Sequence, residues 1–336
     1  MALRIGILSF AHMHAASYAS AVQSLPGVEL AGVADRDNDR AKVMAGHYGV
    51  PAYSSYESLL TDGDVDAVIV GSENVRHREL VELAASHKKA VLCEKPLATT
   101  IEDAEAMIAA CESAGVPLYT AFPCRYHPAY VRLRQTVHGN ELGTLMAART
   151  SNHGGNPGGW FLDKTLSGGG AAMDHTVHVT DLLRDLTQAE PVEVYAEINN
   201  NIQHADFDDV ALLTITFDNG FFATLDGSWS RPKSFWTWGD VTITLTGTGG
   251  TANLDMFAQN HVVFSDRDGK ASLSNWGDNM DRHLVSAFVA ALTGSAPPSP
   301  IPAGAPPLAT GKDGLQAARV AIAAYRSAAL GEPVAI

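Results

Sequence analysis

The chain has 336 residues, of which 46% are hydrophobic and 18% are charged, and its formal net charge at pH 7 is −14. Because single hydrophobic cores stop growing at roughly 250 to 300 residues, this length predicts two domains. No apolar run approaches the roughly 20 residues that span a bilayer, and the acidic balance argues against nucleic acid and membrane surfaces as partners.

The start of the chain runs directly into an apolar strand pattern and lacks the features of a signal peptide, so we expect a cytoplasmic protein. Cys93, Cys111 and Cys124 form no C-x-x-C pair, and their odd number argues against a disulfide framework. We expect three reduced cysteines that serve as packing residues.

The first third of the chain alternates strand-length apolar runs with helix-like stretches. This alternation is typical of a doubly wound parallel sheet built from βα units. Thr100 and Asp103 have the spacing of a capping box, which predicts a helix that starts between two of the runs. The predicted strands cover residues 3–8, 28–34, 65–70, 90–93 and 116–122.

Polar or small residues follow four of these predicted strands. In a parallel sheet of this kind the ligand lies beyond the carboxyl ends of the strands, so the pattern predicts a dinucleotide crevice there. The candidate cofactor-binding residues are Ser9, Phe10, Ala11, His12, Met13, His14, Asp35, Arg36, Gly71, Ser72, Asn74, His77, Glu94 and Lys95.

Asp35 follows the second strand, where a carboxylate accepts the ribose hydroxyls of NAD. An alternative is that it caps the next helix. Arg36 and Arg40 favour a different cofactor, since an arginine at this place can hold the extra phosphate of NADP. We predict NAD, with NADP as the alternative.

The turn after the first strand departs from the dinucleotide fingerprint G-x-G-x-x-G, because Ser9, Ala11 and His14 stand in the places of its glycines. Serine and alanine are the least disruptive replacements, and the N–H groups that start the next helix still suit a phosphate. His14 is bulky, so either the helix moves outward or the imidazole turns toward the cofactor or substrate.

From residue 142 onward β-rich runs dominate, and turn signals at 218–220 and 266–269 predict antiparallel neighbours. The Pro-rich stretch 294–307 is either an exposed linker or an ordered strap. It joins a helix over 284–292 to a final helix over 315–330 that Gly331 caps. The predicted strands cover residues 145–150, 192–198, 210–217, 221–229, 241–246, 252–257 and 261–264.

Asp174 and His178 follow three glycines at a spacing of four residues, so both project from one face of a helix. We interpret them as an acid-base pair. The alternative is that Asp174 caps its own helix and His178 is an interior residue. Asp181, three residues further on, either orients His178 or caps a neighbouring element. This helix is expected to cover one face of the second sheet and to leave the other for subunit contact, which predicts a homodimer or homotetramer.

Taken in chain order, these motifs resemble those of the glucose-fructose oxidoreductase and inositol dehydrogenase family (Gfo/Idh/MocA), and the resemblance extends over nearly the whole chain. The resemblance implies an α/β protein with a Rossmann dinucleotide-binding domain (1–122). It also implies an α+β substrate-binding and oligomerisation domain (123–336) with a large open-faced, mainly antiparallel sheet. The matching residues are Glu94, Lys95, Pro96, Phe122, Arg125, Pro128, Gly168, Gly169, Gly170, Asp174, His178, Asp181, Asp209, Gly247, Gly250, Asp313 and Gly314.

The resemblance also implies NAD(P)-linked hydride transfer at a sugar or polyol carbon, with Lys95, Asp174 and His178 as the catalytic residues. Chemically, His178 suits the base that takes the hydroxyl proton, and Lys95 suits the donor that stabilises the developing negative charge. Asp174 then orients the substrate or the lysine. Candidate substrate contacts are Arg125, Trp160, His153 and His175.

Two other functions are compatible with parts of the sequence. His12 and His14, with His175 and His178, resemble the ligands of a metal-dependent barrel hydrolase, although such a barrel needs eight βα units and the alternation stops near residue 122. The altered phosphate turn is compatible with a non-enzymatic dinucleotide sensor. The intact set of catalytic residues favours an enzyme, and we expect no metal.

Overall fold

A computed structural model of the chain describes residues 2–275 and 278–336. Its first sheet has six parallel strands in the order β3-β2-β1-β4-β5-β6, which is the predicted doubly wound arrangement. Helices cover both faces, so mainly apolar runs form the strands. The strands are β1 (Leu3–Leu8), β2 (Val28–Ala34), β3 (Ala52–Tyr53), β4 (Ala67–Val70), β5 (Ala90–Cys93) and β6 (Leu118–Thr120).

The predicted bounds of β1, β2 and β5 are confirmed, whereas β4 and β6 are shorter than predicted and the edge strand β3 was not predicted. Thr100 caps the helix after β5 by accepting the Asp103 N–H at 3.1 Å, as predicted. The helices of this half are α1 (His14–Ser24), α2 (Asn38–Tyr48), α3 (Tyr56–Asp62), α4 (His77–Ser86) and α5 (Ile101–Ala114).

The second sheet has seven strands and is mainly antiparallel, with one parallel pair between β10 and β7. The strand predicted at 261–264 is part of a separate hairpin, β13 (Asn260–Ser265) with β14 (Lys270–Asn275). In sheet order the seven strands are β12 (Thr251–Asp255), β11 (Thr242–Gly247), β7 (Leu145–Ser151), β10 (Phe222–Asp226), β9 (Val210–Phe217), β8 (Pro191–Asn199) and β15 (Val334–Ala335).

The helix α8 (Ala171–Thr187) packs on one face of the second sheet, where Val179, Leu182 and Leu183 are fully buried against its strands. The opposite face is open, and it exposes half of Leu212 and Phe222. The predicted one-sided covering of the sheet is confirmed. The other helices of this half are α6 (Pro128–His138), α7 (Lys164–Ser167), α9 (Met280–Thr293) and α10 (Gly311–Leu330).

The Pro-rich stretch is an ordered strap. Ser286 of α9 donates to the Ser299 carbonyl at 2.7 Å, and Arg125 donates to the Pro307 carbonyl at 3.1 Å. The strap follows α9, whose Phe288 is buried in the same core cluster as α1 of the first half. Gly331 ends α10 in the left-handed conformation, as predicted. None of the described helices is long and apolar enough to cross a membrane.

Candidate active site

A cleft of about 470 Å³ lies where the carboxyl ends of β1 and β5 meet the start of α8. Lys95 enters it two residues after β5, and Asp174 and His178 enter it from one face of α8. The i, i+4 spacing therefore does place both α8 side chains in one cleft, opposite a lysine from the other half of the chain. The remaining lining residues are His12, Met13, His14, Pro123, Cys124, Gly154, Gly155, Asn156, Pro157, His175, Trp238, Met280 and Asp281.

The Lys95 ammonium and the Asp174 carboxylate form an ion pair at 2.6 Å, and their side chains are 5% and 15% exposed. Burial alone raises the pKa of the Asp174 carboxyl, but Lys95 and His175 outweigh it and hold that pKa well below its usual range. Burial likewise lowers the pKa of Lys95, but the charges of Asp174 and Glu94 outweigh it and raise that pKa. Both groups are therefore charged at neutral pH.

Trp229 holds the other Asp174 oxygen, since its indole N–H donates to Oδ2 at 3.1 Å. The His175 Nε2 lies 3.3 Å from the same oxygen. Trp229 is 2% exposed, and its role was not predicted because it lies 55 residues after Asp174. His175, which was predicted to contact substrate, lines the cleft and also contacts the Asp174 carboxylate.

Asp174 does not cap its own helix. Asp208 performs that task by accepting the Gly170 N–H at 2.8 Å and the Ala172 N–H at 2.9 Å. A Cβ added to Gly170 would lie 2.0 Å from the Asp208 carbonyl oxygen, so the glycine is needed for this close approach. Asp174 is consequently free to pair with Lys95.

His178 is 6% exposed, and its Nδ1 has no hydrogen-bond partner among the described residues. Burial and the nearby Lys95 charge together hold the pKa of its imidazole well below the usual range. The ring is therefore neutral at pH 7, which is the state required of a general base.

The turn after β1 fits a dinucleotide despite its lost glycines. Ser9 adopts the left-handed φ of 74° that the first glycine of the fingerprint normally supplies. Gly71 at the end of β4 lets α1 approach, because an added Cβ would lie 2.7 Å from Ala15 Cβ. Trp160 reaches this turn from the second half of the chain and donates its indole N–H to the Ala11 carbonyl at 3.0 Å.

Asp35 directly follows β2, and Arg40 binds its carboxylate through two nitrogens at 2.7 Å each. The Phe10 N–H also donates to it at 2.7 Å. Asp37, rather than Asp35, caps α2. The Arg36 side chain is exposed.

His14 turns its imidazole toward Glu94, with Nδ1 2.7 Å from the carboxylate, and the Tyr18 hydroxyl donates to the same oxygen. His12, His14 and Glu94 bring three donor atoms within 4.8 Å of one another, which is close enough for a metal ion. His12 Nδ1 accepts the His14 N–H at 3.2 Å. The barrel-hydrolase alternative is wrong, because the first sheet is open and has six strands.

Three predicted substrate contacts, Arg125, Trp160 and His153, do not line the cleft. Asp181 binds the buried Arg125 guanidinium through two hydrogen bonds of 2.6 Å, so neither residue faces substrate and Asp181 does not orient His178. His153 lies beside the open face of the second sheet, 2.9 Å from Asp226 and 2.8 Å from Asp240. Burial alone lowers the pKa of His153, but these two carboxylates outweigh it and raise that pKa to about 9.

Some of the predicted cofactor-binding residues lie behind the crevice, where they pack against or hydrogen-bond to other residues of the protein. His77 is fully buried and donates from Nδ1 to the Pro96 carbonyl at 3.0 Å, which holds the segment after Lys95. The Phe10 ring stacks on Tyr48 in the core. Asn74 donates to the Ser167 carbonyl at 2.8 Å, and Ser72 is buried. The His77 side chain is already hydrogen-bonded and the Phe10 ring is packed in the core. We therefore do not expect either side chain to touch the dinucleotide.

Family comparisons agree with this architecture. Residues 3–122 match the model of the oxidoreductase family with an NAD-binding Rossmann fold, and residues 130–253 match the GFO/IDH/MocA C-terminal domain. The chain is similar to the D-xylose 1-dehydrogenase (NADP(+)) 2 of Haloferax volcanii, with 31% identity over 88% of this chain and 91% of the relative. It is also similar to the myo-inositol 2-dehydrogenase of Thermotoga maritima, with 28% identity over 97% and 96% of the two chains.

The fold is shared with the crystal structure of GenD2 from gentamicin A biosynthesis in complex with NAD. That structure has a TM-score of 0.88 and 24% identity, and the match covers 100% of this chain and 96% of that one. With both halves matched in the same order, the chain belongs to the GFO/IDH/MocA family and is an NAD(P)-dependent oxidoreductase.

Proposed function

We propose that the protein transfers hydride between NAD(P) and a hydroxyl-bearing carbon of a sugar or polyol. The observation that carries this proposal is the Lys95–Asp174 ion pair, which stands beside a neutral His178 at the carboxyl edge of the dinucleotide-binding sheet. The relatives named for D-xylose and myo-inositol support the substrate class.

In this proposal Lys95 donates a hydrogen bond to the alcohol oxygen and stabilises the negative charge that develops there. His178 accepts the hydroxyl proton, because its imidazole is neutral at pH 7 and can therefore act as a base. Asp174, held by Trp229, keeps the ammonium in place and charged. The bound nicotinamide, when present, supplies the acceptor for the hydride.

Turnover of a sugar panel tests the proposal. The purified protein is incubated with NAD⁺ or NADP⁺ and with D-glucose, D-xylose, D-galactose or myo-inositol, and NAD(P)H formation is followed by absorbance. We expect turnover on at least one compound. Dinucleotide binding without turnover on any sugar, polyol or glycoside would instead support the sensor alternative.

We predict that NADH binds more tightly than NADPH, because the Asp35 carboxylate repels a 2′-phosphate. Arg40 offsets only part of that charge through its two hydrogen bonds. Arg40→Met should therefore weaken NADPH binding by about 10-fold or more, since a bare like charge at close range costs more than 1 kcal/mol. Fluorescence titration of both cofactors measures the effect.

Lys42→Met is the control for Arg40→Met, because Lys42 lies exposed on the same helix and pairs with Asp39 rather than with Asp35. Its cofactor preference should resemble that of the wild type. A wild-type protein that binds NADPH as tightly as NADH would show that Asp35 does not select the cofactor.

We also propose that residues 1–122 bind the dinucleotide and that residues 123–336 bind substrate and form the subunit interface. The open face of the second sheet, with exposed Leu212 and Phe222, is the expected contact surface of a homodimer or homotetramer. We place the protein in the cytoplasm. Light scattering and cell fractionation test the assembly and the location.

A further inference from the structure

The floor and the rim of the cleft differ in polarity and in exposure. Its floor is polar and buried, since Lys95 and His175 are each 4% exposed and His178 is 6% exposed. Its rim is mainly apolar and open, with Trp238 51% exposed and with Pro157 and Met280 half-buried beside it. Asn156 is also exposed there, but its amide is hydrogen-bonded to Gln203. A floor of hydrogen-bonding groups suits a sugar ring, whereas the rim offers little to hydroxyl groups.

The Trp238 ring is held in place although half of it is exposed. Its carbonyl accepts the Gly155 N–H at 3.0 Å, and its ring packs edge-to-face on Phe257 with centroids 5.2 Å apart. The neighbouring Gly239 pairs with Gly154, and an added Cβ there would lie 2.0 Å from the His153 carbonyl oxygen. These contacts hold the segment against the cleft wall, and the Trp238 ring therefore has a defined position at the cleft mouth.

A fixed and exposed aromatic ring at the mouth of a ligand cleft is characteristic of a binding surface, because such a ring gains free energy when a ligand covers it. We propose that the substrate is a glycoside, whose sugar ring lies on the polar floor and whose apolar, aromatic aglycone packs against Trp238. This inference rests on the proposed dehydrogenase function and narrows its substrate class.

The proposed substrate class also limits which carbon is oxidised. A glycoside has no free anomeric hydroxyl, so C1 is excluded, and the proposed reacting group is one of the secondary alcohols of the sugar ring. The C–H bond breaks and its hydride reduces NAD⁺ to NADH, while His178 takes the O–H proton. The product is a keto-glycoside that retains its aglycone.

Matched substrates and two tryptophan variants test the proposal. We would measure kcat/KM with NAD⁺ for the free sugars, methyl β-glycosides and phenyl β-glycosides of D-glucose, D-galactose and D-xylose, and also for cellobiose. The wild type should prefer a phenyl glycoside over its methyl glycoside by about 10-fold, as one aromatic contact allows. Trp238→Ala should remove this preference by lowering kcat/KM for the phenyl glycoside toward the value for the methyl glycoside.

Trp236→Ala is the control, because Trp236 is 65% exposed on the same loop but does not line the cleft. It should keep the preference for phenyl glycosides. Equal turnover of phenyl and methyl glycosides by the wild type, a preference for free sugars or cellobiose, or an unaltered preference in Trp238→Ala each overturns the inference and leaves the dehydrogenase proposal intact. A wild type that oxidises none of these compounds or myo-inositol overturns both.

Discussion

Replacing Lys95 with Met is expected to lower turnover by about 100- to 1,000-fold, the usual effect of removing one donor to a developing oxyanion. The Lys95 ammonium is buried in the cleft floor and is held by Asp174 at 2.6 Å, so a surface lysine cannot easily move into its position in the variant. Because its proposed partner is the substrate oxygen, NADH affinity should change little. Steady-state kinetics and NADH titration of the same preparation separate the two effects.

The Lys95→Met variant also leaves Asp174 without its cation, and breaking a buried ion pair costs about 3–5 kcal/mol. The double variant Lys95→Met/Asp174→Asn removes both charges and should recover much of the lost stability while remaining inactive. Lys42→Met, on the exposed side of α2, is the control for loss of a lysine and should retain full turnover. Near-normal turnover in a folded Lys95→Met protein would remove Lys95 from the mechanism.

Much of the first half of the fold follows from local sequence pattern. The strands β1, β2 and β5 are mostly buried on both faces, so each leaves a mainly apolar run, interrupted by Arg4 in β1 and by Glu29 in β2. The strands β3 and β15 have two residues each, which is too short for any periodic signal. The strand β14 is mostly polar and leaves no apolar run.

The residues of the cleft were also partly predictable from local sequence pattern. Lys95 follows a strand end and Asp174 and His178 share a helix face, and both relations are local. Contacts between distant segments left no such signal. Arg125 was expected to face substrate, but Asp181, 56 residues away, binds it, and Asp240 lies 87 residues from His153. The charge of an arginine or histidine indicates that it has a partner but does not identify that partner.

Replacing His178 with Asn should lower turnover by about 100- to 10,000-fold, because the variant keeps a polar side chain but loses the general base. In the wild type, burial and the Lys95 charge hold the His178 pKa well below its usual range. The base is therefore still unprotonated at pH 6.5, and kcat/KM should fall only at more acidic pH. His47→Asn, a change on the distant helix α2, should leave turnover unaltered.

The lowered pKa of His178 also predicts how stability depends on pH. The unfolded chain protonates this imidazole below about pH 6.5, whereas the folded protein keeps it neutral, so acidification favours unfolding. Between pH 7.5 and 5.5 the wild type should lose about 1.4 kcal/mol of unfolding free energy through His178. The His178→Asn variant should lack that part of the loss, while other buried histidines such as His12 contribute equally to both proteins. Urea denaturation at the two pH values measures the difference, and identical pH dependence in the two proteins would show that His178 is not a buried neutral base.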